Sequence, residues 1–122
     1  MKRLFLIAAL LLTALSFNSC EEDRWGYDNK VIFSAAGGEE DIDGEDAIHT
    51  LSIGNGQGDE REAVELAGIL TASYDWLTAI AKKGDNEIQL IAEPNKTGKK
   101  RKLYVYGMVG NLVMDVTVIQ NK

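Results

Sequence analysis

The sequence predicts an all-β sandwich, and three observations carry that reading. After residue 30, short apolar runs recur about every ten residues, each closed by glycine, asparagine or proline. In the last third these runs alternate, so that Ile88, Leu90 and Ala92 share one face, as do Leu103 and Val105. Helix-forming residues are concentrated in one short stretch, Glu60 to Ala67.

The chain has 122 residues. Lys2 and Arg3 precede an apolar run from Leu4 to Leu15. That run is shorter than the roughly 20 residues needed to cross a bilayer and has the length of an export signal's apolar core. Ser16-Phe17-Asn18-Ser19-Cys20 follows and contains the single cysteine. It resembles a lipobox, with cleavage after Ser19 and lipidation of Cys20. Phe17 and Asn18 depart from the commonest form, a relaxation known in lipoproteins of the Bacteroidetes. The alternative, an ordinary secreted protein with a free thiol, leaves an exposed cysteine without a partner in its own chain. Residues 1–19 are therefore read as signal, 20–29 as an acidic tether and 30–122 as one folded domain.

Removing the signal leaves 11 basic against 19 acidic residues, a formal charge of −8. That balance argues against nucleic acid and anionic lipid as partners, because both require concentrated Lys and Arg. The expected membrane contact is the lipid on Cys20, each buried methylene adding about 0.8 kcal/mol. Glu21-Glu22-Asp23 directly after it resembles the surface-export signal of Bacteroidetes lipoproteins, with a solvated charge run as the alternative. The expected location is the outer membrane, facing outward.

Within the domain, Val31-Ile32-Phe33 predicts a first strand, ended by Gly37-Gly38. Ala47 to Ile53 alternates loosely, placing Ile48 and Thr50 on one side and His49, Leu51 and Ile53 on the other. Gly54 to Asp59 reads as a loop or hairpin tip. Glu60 to Ala67 has the composition of a turn or two of helix, stopped by Gly68, and Ile69 to Tyr74 reads as strand. Asn86 to Glu93 is a strand ended by Pro94-Asn95. Lys102 to Tyr106 and Leu112 to Gln120 form a hairpin across Gly107 to Asn111.

Asp75-Trp76-Leu77-Thr78 is followed by Gly84, Asn86-Glu87-Ile88 and Glu93-Pro94-Asn95-Lys96-Thr97-Gly98. Arg101 and the ending Val116-Thr117-Val118-Ile119-Gln120 complete the series. In that order and spacing these residues resemble the BACON domain of Bacteroidetes surface proteins. The resemblance spans about Val31 to Gln120 and is strongest from Trp76 onward. The first half lacks the second tryptophan that the family often carries. The resemblance implies an immunoglobulin-like β-sandwich that binds glycan or mucin, or serves as a spacer or accessory subunit of a surface complex. The residues have physical readings of their own. Trp76 is a core ring closing one end, Asn95 can bond backbone two residues on, and the Arg101 guanidinium can hold carbonyls. Gln120 is suited to satisfy buried backbone groups.

No reaction and no cofactor are expected. His49 is the only histidine and has no Ser or Cys motif beside it. Asp41-x-Asp43-x-Glu45 begins like a calcium loop, but Asp46 and Ser52 stand where glycine and glutamate belong. A solvated acidic loop is preferred over a looser calcium site, so no metal is assigned. The candidate glycan platform lies on the strand Lys102 to Tyr106. With Leu103 and Val105 inward, Lys102, Tyr104 and Tyr106 point to the other face. Two tyrosines at i, i+2 stand about 6.5 to 7 Å apart, a spacing suited to the apolar face of a sugar. With Val116 and Val118 inward, Asp115 and Thr117 join them as hydroxyl partners. The competing explanation is that tyrosines simply favour strands. Trp25 and Tyr27 in the tether are further candidates for glycan contact or for packing at the domain edge.

Overall fold

The computed structural model describes residues 30–44, 46–109 and 112–122. The signal, Cys20, the acidic tether, Trp25 and Tyr27 lie outside the described residues, as does Glu45.

Among the described residues ten strands run in chain order: β1 (Lys30–Phe33), β2 (Gly38–Asp43), β3 (Ile48–Gly54), β4 (Glu60–Glu62) and β5 (Val64–Leu66), then β6 (Ile69–Tyr74), β7 (Leu77–Lys82), β8 (Glu87–Ala92), β9 (Arg101–Val109) and β10 (Leu112–Gln120). They form two five-stranded sheets, ordered β1-β10-β9-β3-β4 and β2-β8-β7-β6-β5. There is no helix among the described residues. Pairing is antiparallel except where β1 runs parallel to β10. The expected all-β sandwich is the observed architecture.

Alternation explains the core. Leu103, Val105 and Val109 of β9 and Met114, Val116 and Val118 of β10 meet Leu77, Ala79 and Ala81 of β7 and Ile88, Leu90 and Ala92 of β8. Branched and aliphatic side chains suit a pleated surface buried on one side. Trp76 sits in the tight turn between β6 and β7, where Asp75 takes φ 55°, and it is buried at one end of the sandwich. The Arg101 guanidinium lies 4.9 Å from its ring centroid, within cation–π range.

That end is held by side chains the sequence had marked. Gln120 is fully buried; its amide donates to Ser34 O (3.1 Å) and Glu93 O (2.7 Å), and its Oε1 accepts from Arg101 Nε (2.8 Å). Arg101 also donates to Pro94 O (3.2 Å). Asn95 Oδ1 accepts from Thr97 N (3.0 Å), and its amide donates to the carbonyls of Lys99 and Asn121.

Four sequence expectations are corrected. Glu60 to Ala67 is not helical: β4 pairs with β3 in one sheet, and β5 pairs with β6 in the other. Helix propensities differ by only tenths of a kcal/mol per residue, and backbone pairing with two sheet edges outweighs that. Ala63 is the crossover, its N–H bonded to Leu51 O (2.9 Å), and Ala67-Gly68 (φ 54° and 81°) then forms a two-residue hairpin turn rather than a helix stop. In β3 the alternation is broken. Met108 pairs with Thr50 and Val109 with Ile48, so His49 is an extra bulged residue, and Ile48 and Leu51 both face the core. The segment that carries Asp41 and Asp43, expected as a solvated acidic loop, is edge strand β2 as far as Asp43. Finally, β9 continues to Val109, so Gly107 and Met108 belong to the strand.

Candidate ligand-binding face

The register of β9 against β10 puts Lys102 opposite Ile119, Tyr104 opposite Thr117 and Tyr106 opposite Asp115. Because facing residues in a ladder project to the same side, Lys102, Tyr104, Tyr106, Asp115 and Thr117 all stand on the outer face of one sheet. The tyrosines are half-buried. Their ring centroids lie 6.3 Å apart and their planes are 20° from parallel. Lys102 Nζ is 5.7 Å from the centre of the Tyr104 ring.

On the other side of β9, Tyr104 faces Gly54 and Tyr106 faces Ser52. A β-carbon added at Gly56 would stand 2.5 Å from Cε2 of Tyr104, and one at Gly54 would stand 3.1 Å from Cε2 of Tyr106. The glycines therefore allow the β3–β4 hairpin to carry the two rings against its backbone. The loop is ordered by Asn55, whose Oδ1 accepts from Gln57 N (2.7 Å) and Asp59 N (3.2 Å). It is tied to the second sheet by Tyr74, whose hydroxyl donates to Asp59 Oδ2 at 2.7 Å while Arg61 covers the Tyr74 ring at 5.2 Å. Ser52, buried beside Tyr106, donates to Glu60 Oε2 (2.6 Å).

The electrostatics differ at the two rings. Burial, and then the carboxylates of Asp115 and Glu60, raise the Tyr106 phenol above its ordinary pKa. The Tyr74 phenol is raised chiefly by its hydrogen bond to Asp59. Around Tyr104 stand Lys102 on the same strand and, in its cross-strand row, Lys30 of β1 beyond Thr117 and Glu60 of β4 beyond Gly54.

The sequence reading missed Gly54, Gly56, Ser52 and Glu60. The glycine cluster signalled a loop tip, but which strand would receive it depends on the pairing of β3 with β9 across more than forty residues.

A cavity of about 370 Å³ adjoins this face at Ser52 and Glu60, where the chain crosses between sheets, and is lined further by His49, Ala63, Leu70 and Lys83. It contains no aromatic ring, and Lys83 is paired with Glu65 at 3.4 Å. The cavity follows from the edge-to-edge crossing, and nothing in it offers the flat apolar surface that the tyrosines do. His49 is exposed there. Among the described residues, no three His, Cys, Asp or Glu side chains are grouped to hold a metal ion.

No family model and no curated protein matches the chain. Two solved structures from Bacteroides do. An NMR structure of a protein from Bacteroides thetaiotaomicron aligns with TM-score 0.55 at 19% identity, covering 80% of this chain and 84% of that one. A GH5 xyloglucanase from Bacteroides ovatus, solved with a XXXG heptasaccharide, aligns with TM-score 0.49 at 21% identity, covering 76% of this chain but 17% of the enzyme. At 19% identity the first of the two shows likeness of fold alone, over most of both chains.

Proposed function

We propose that the protein is a non-catalytic cell-envelope lipoprotein of BACON type whose outer sheet face binds glycan or mucin at the cell surface. The observation that carries this reading is the pair of nearly parallel tyrosines, 6.3 Å apart on one exposed sheet face. Hydroxyl and carboxylate groups of Thr117, Asp115 and Ser52 face the two rings across the neighbouring strands. Aromatic faces with polar groups at their edges suit a sugar, which has an apolar face and a rim of hydroxyls. The anchor in this reading is the lipid on Cys20, in the outer membrane.

The test is a glycan array with the purified protein, comparing wild type with Tyr104→Ala/Tyr106→Ala and using circular dichroism to confirm that both are folded. Binding that is lost in the double variant is the expected result. Binding unchanged by it would exclude the platform. Mass spectrometry of the native amino terminus tests the lipid separately.

A second reading, an accessory or spacer subunit of a surface complex, is favoured by a different observation. Val64 (71% exposed) and Leu66 (77%) on β5, with Ile69 (38%) opposite Leu66, expose neighbouring apolar side chains at a sheet edge. A partner that co-purifies with wild type but not with Val64→Lys/Leu66→Lys would support it.

A further inference from the structure

We infer that the ligand of the tyrosine face is an acidic glycan, one carrying carboxylate or sulfate groups, held with its anionic substituents toward Tyr104. This rests on the platform reading above and adds a charge requirement and a direction to it. Five of the 13 basic residues fall between positions 96 and 102. Arg101 is engaged internally with Gln120, Pro94 and Trp76. Lys96, Lys99, Lys100 and Lys102 are exposed, and among the described residues none of them has a carboxylate within 4 Å. In a chain of net charge −6, such a group of cations departs from the general balance.

Strand β9 leads from this basic loop into the aromatic pair. Lys102 stands 5.7 Å from the centre of the Tyr104 ring. Lys30 lies in the same cross-strand row as Tyr104, beyond Thr117, about two strand spacings or 10 Å away. One row further along, Tyr106 is flanked by Asp115, which faces it across the pairing with β10, and Ser52, which faces it across the pairing with β3 and binds Glu60. Glu60 lies in the row of Tyr104, beyond Gly54, but its carboxylate turns to Ser52 in the row of Tyr106, so the face is cationic on the Lys102–Lys30 side of Tyr104 and anionic beside Tyr106. A neutral sugar gains nothing from that gradient. A uronic acid or sulfated sugar stacked on Tyr104 would meet Lys102 and Lys30, while a hydroxyl-rich neighbour over Tyr106 would find acceptors in Asp115 and Glu60.

The experiment measures binding of the purified protein to two matched pairs of probes. One is polygalacturonate against its methyl ester, the other dextran sulfate against dextran. The first pair reports carboxylate and the second sulfate. The expected result is a preference of about tenfold or more for the charged member of at least one pair at low salt, collapsing as salt shortens the screening length. Lys30→Gln/Lys102→Gln should weaken that binding about three- to tenfold, the size expected for two exposed charges. Tyr104→Ala/Tyr106→Ala should abolish it, and Lys83→Gln should leave it unchanged. Equal binding of charged and neutral probes that still needs the tyrosines would overturn the acidic ligand and leave the platform standing. Binding of the charged probes that survives loss of the tyrosines but disappears in Lys96→Gln/Lys99→Gln would reveal loop attraction only, and would also overturn it. No binding to any of the four probes would overturn it as well, and a blank glycan array beside that result would remove the platform with it.

Discussion

Replacing Gln120 with leucine tests the clasp at the Trp76 end. Leucine has a similar volume and fits an apolar site, so cavity formation contributes little. What is removed is two hydrogen bonds to the carbonyls of Ser34 and Glu93 and one from the Arg101 guanidinium, at 3.1, 2.7 and 2.8 Å. Each neutral bond contributes about 1 kcal/mol and a charged one about 1.5–3 kcal/mol. Arg101 is half-exposed and can turn to water, which places its share at or below the low end. The expected loss is about 3 kcal/mol. For a domain of this size, about 1 kcal/mol moves Tm by roughly 4–8 °C, so the variant should melt about 12–24 °C lower. Circular dichroism melts and urea titrations measure both quantities. Gln89→Leu is the control: Gln89 is partly exposed and donates to Glu39 Oε1 at 3.2 Å on the outer face, so its loss should stay within about 0.5 kcal/mol. If Gln120→Leu lost less than about 1 kcal/mol, the clasp would not be what holds this end together.

Three further outcomes follow from the same geometry. Gly56→Ala and Gly58→Ala both strain the backbone, at φ 78° and 104°. Gly56→Ala also drives a methyl group toward the Tyr104 ring, whereas nothing lies within 4 Å at Gly58. Only Gly56→Ala should shift the ring resonances of Tyr104 in NMR spectra and weaken any ligand binding there. Because the folded Tyr106 phenol ionises above its ordinary value of about 10, its contribution to stability is fully present below pH 10 and is lost as pH rises through the folded pKa. Asp115→Asn should bring that ionisation partway back in a spectrophotometric titration, burial remaining as the larger cause. Tyr74→Phe removes the bond to Asp59, and amide exchange at Asn55, Asp59 and Glu60 should quicken while the β7–β8 core keeps its protection.

Much of the fold was legible because period-two alternation is a local signal. Ile88, Leu90 and Ala92 on β8, and Leu103 and Val105 on β9, could be assigned to the core from spacing alone, and all are buried. The roles of Asn95 and Gln120 were legible for a related reason. Asparagine in a turn has few ways to bond, and a glutamine ending an apolar strand must satisfy its amide somewhere. The face shared by Tyr104, Tyr106, Asp115 and Thr117 followed from the same alternation applied to two strands of one hairpin.

What the sequence alone determined was therefore the class of fold, the inward and outward sides of its regular strands, and the candidate aromatic face. The tertiary structure decided the rest, because each remaining feature depends on a partner distant in the chain. Glu60 to Leu66 became strand because two separate sheet edges offered it hydrogen bonds. The bulge at His49 exists only in register with Met108 and Val109. The glycines at 54 and 56 gained a purpose when β9 brought two tyrosine rings against them. Local pattern encodes which way a side chain points; only pairing across the sheet settles what it meets there.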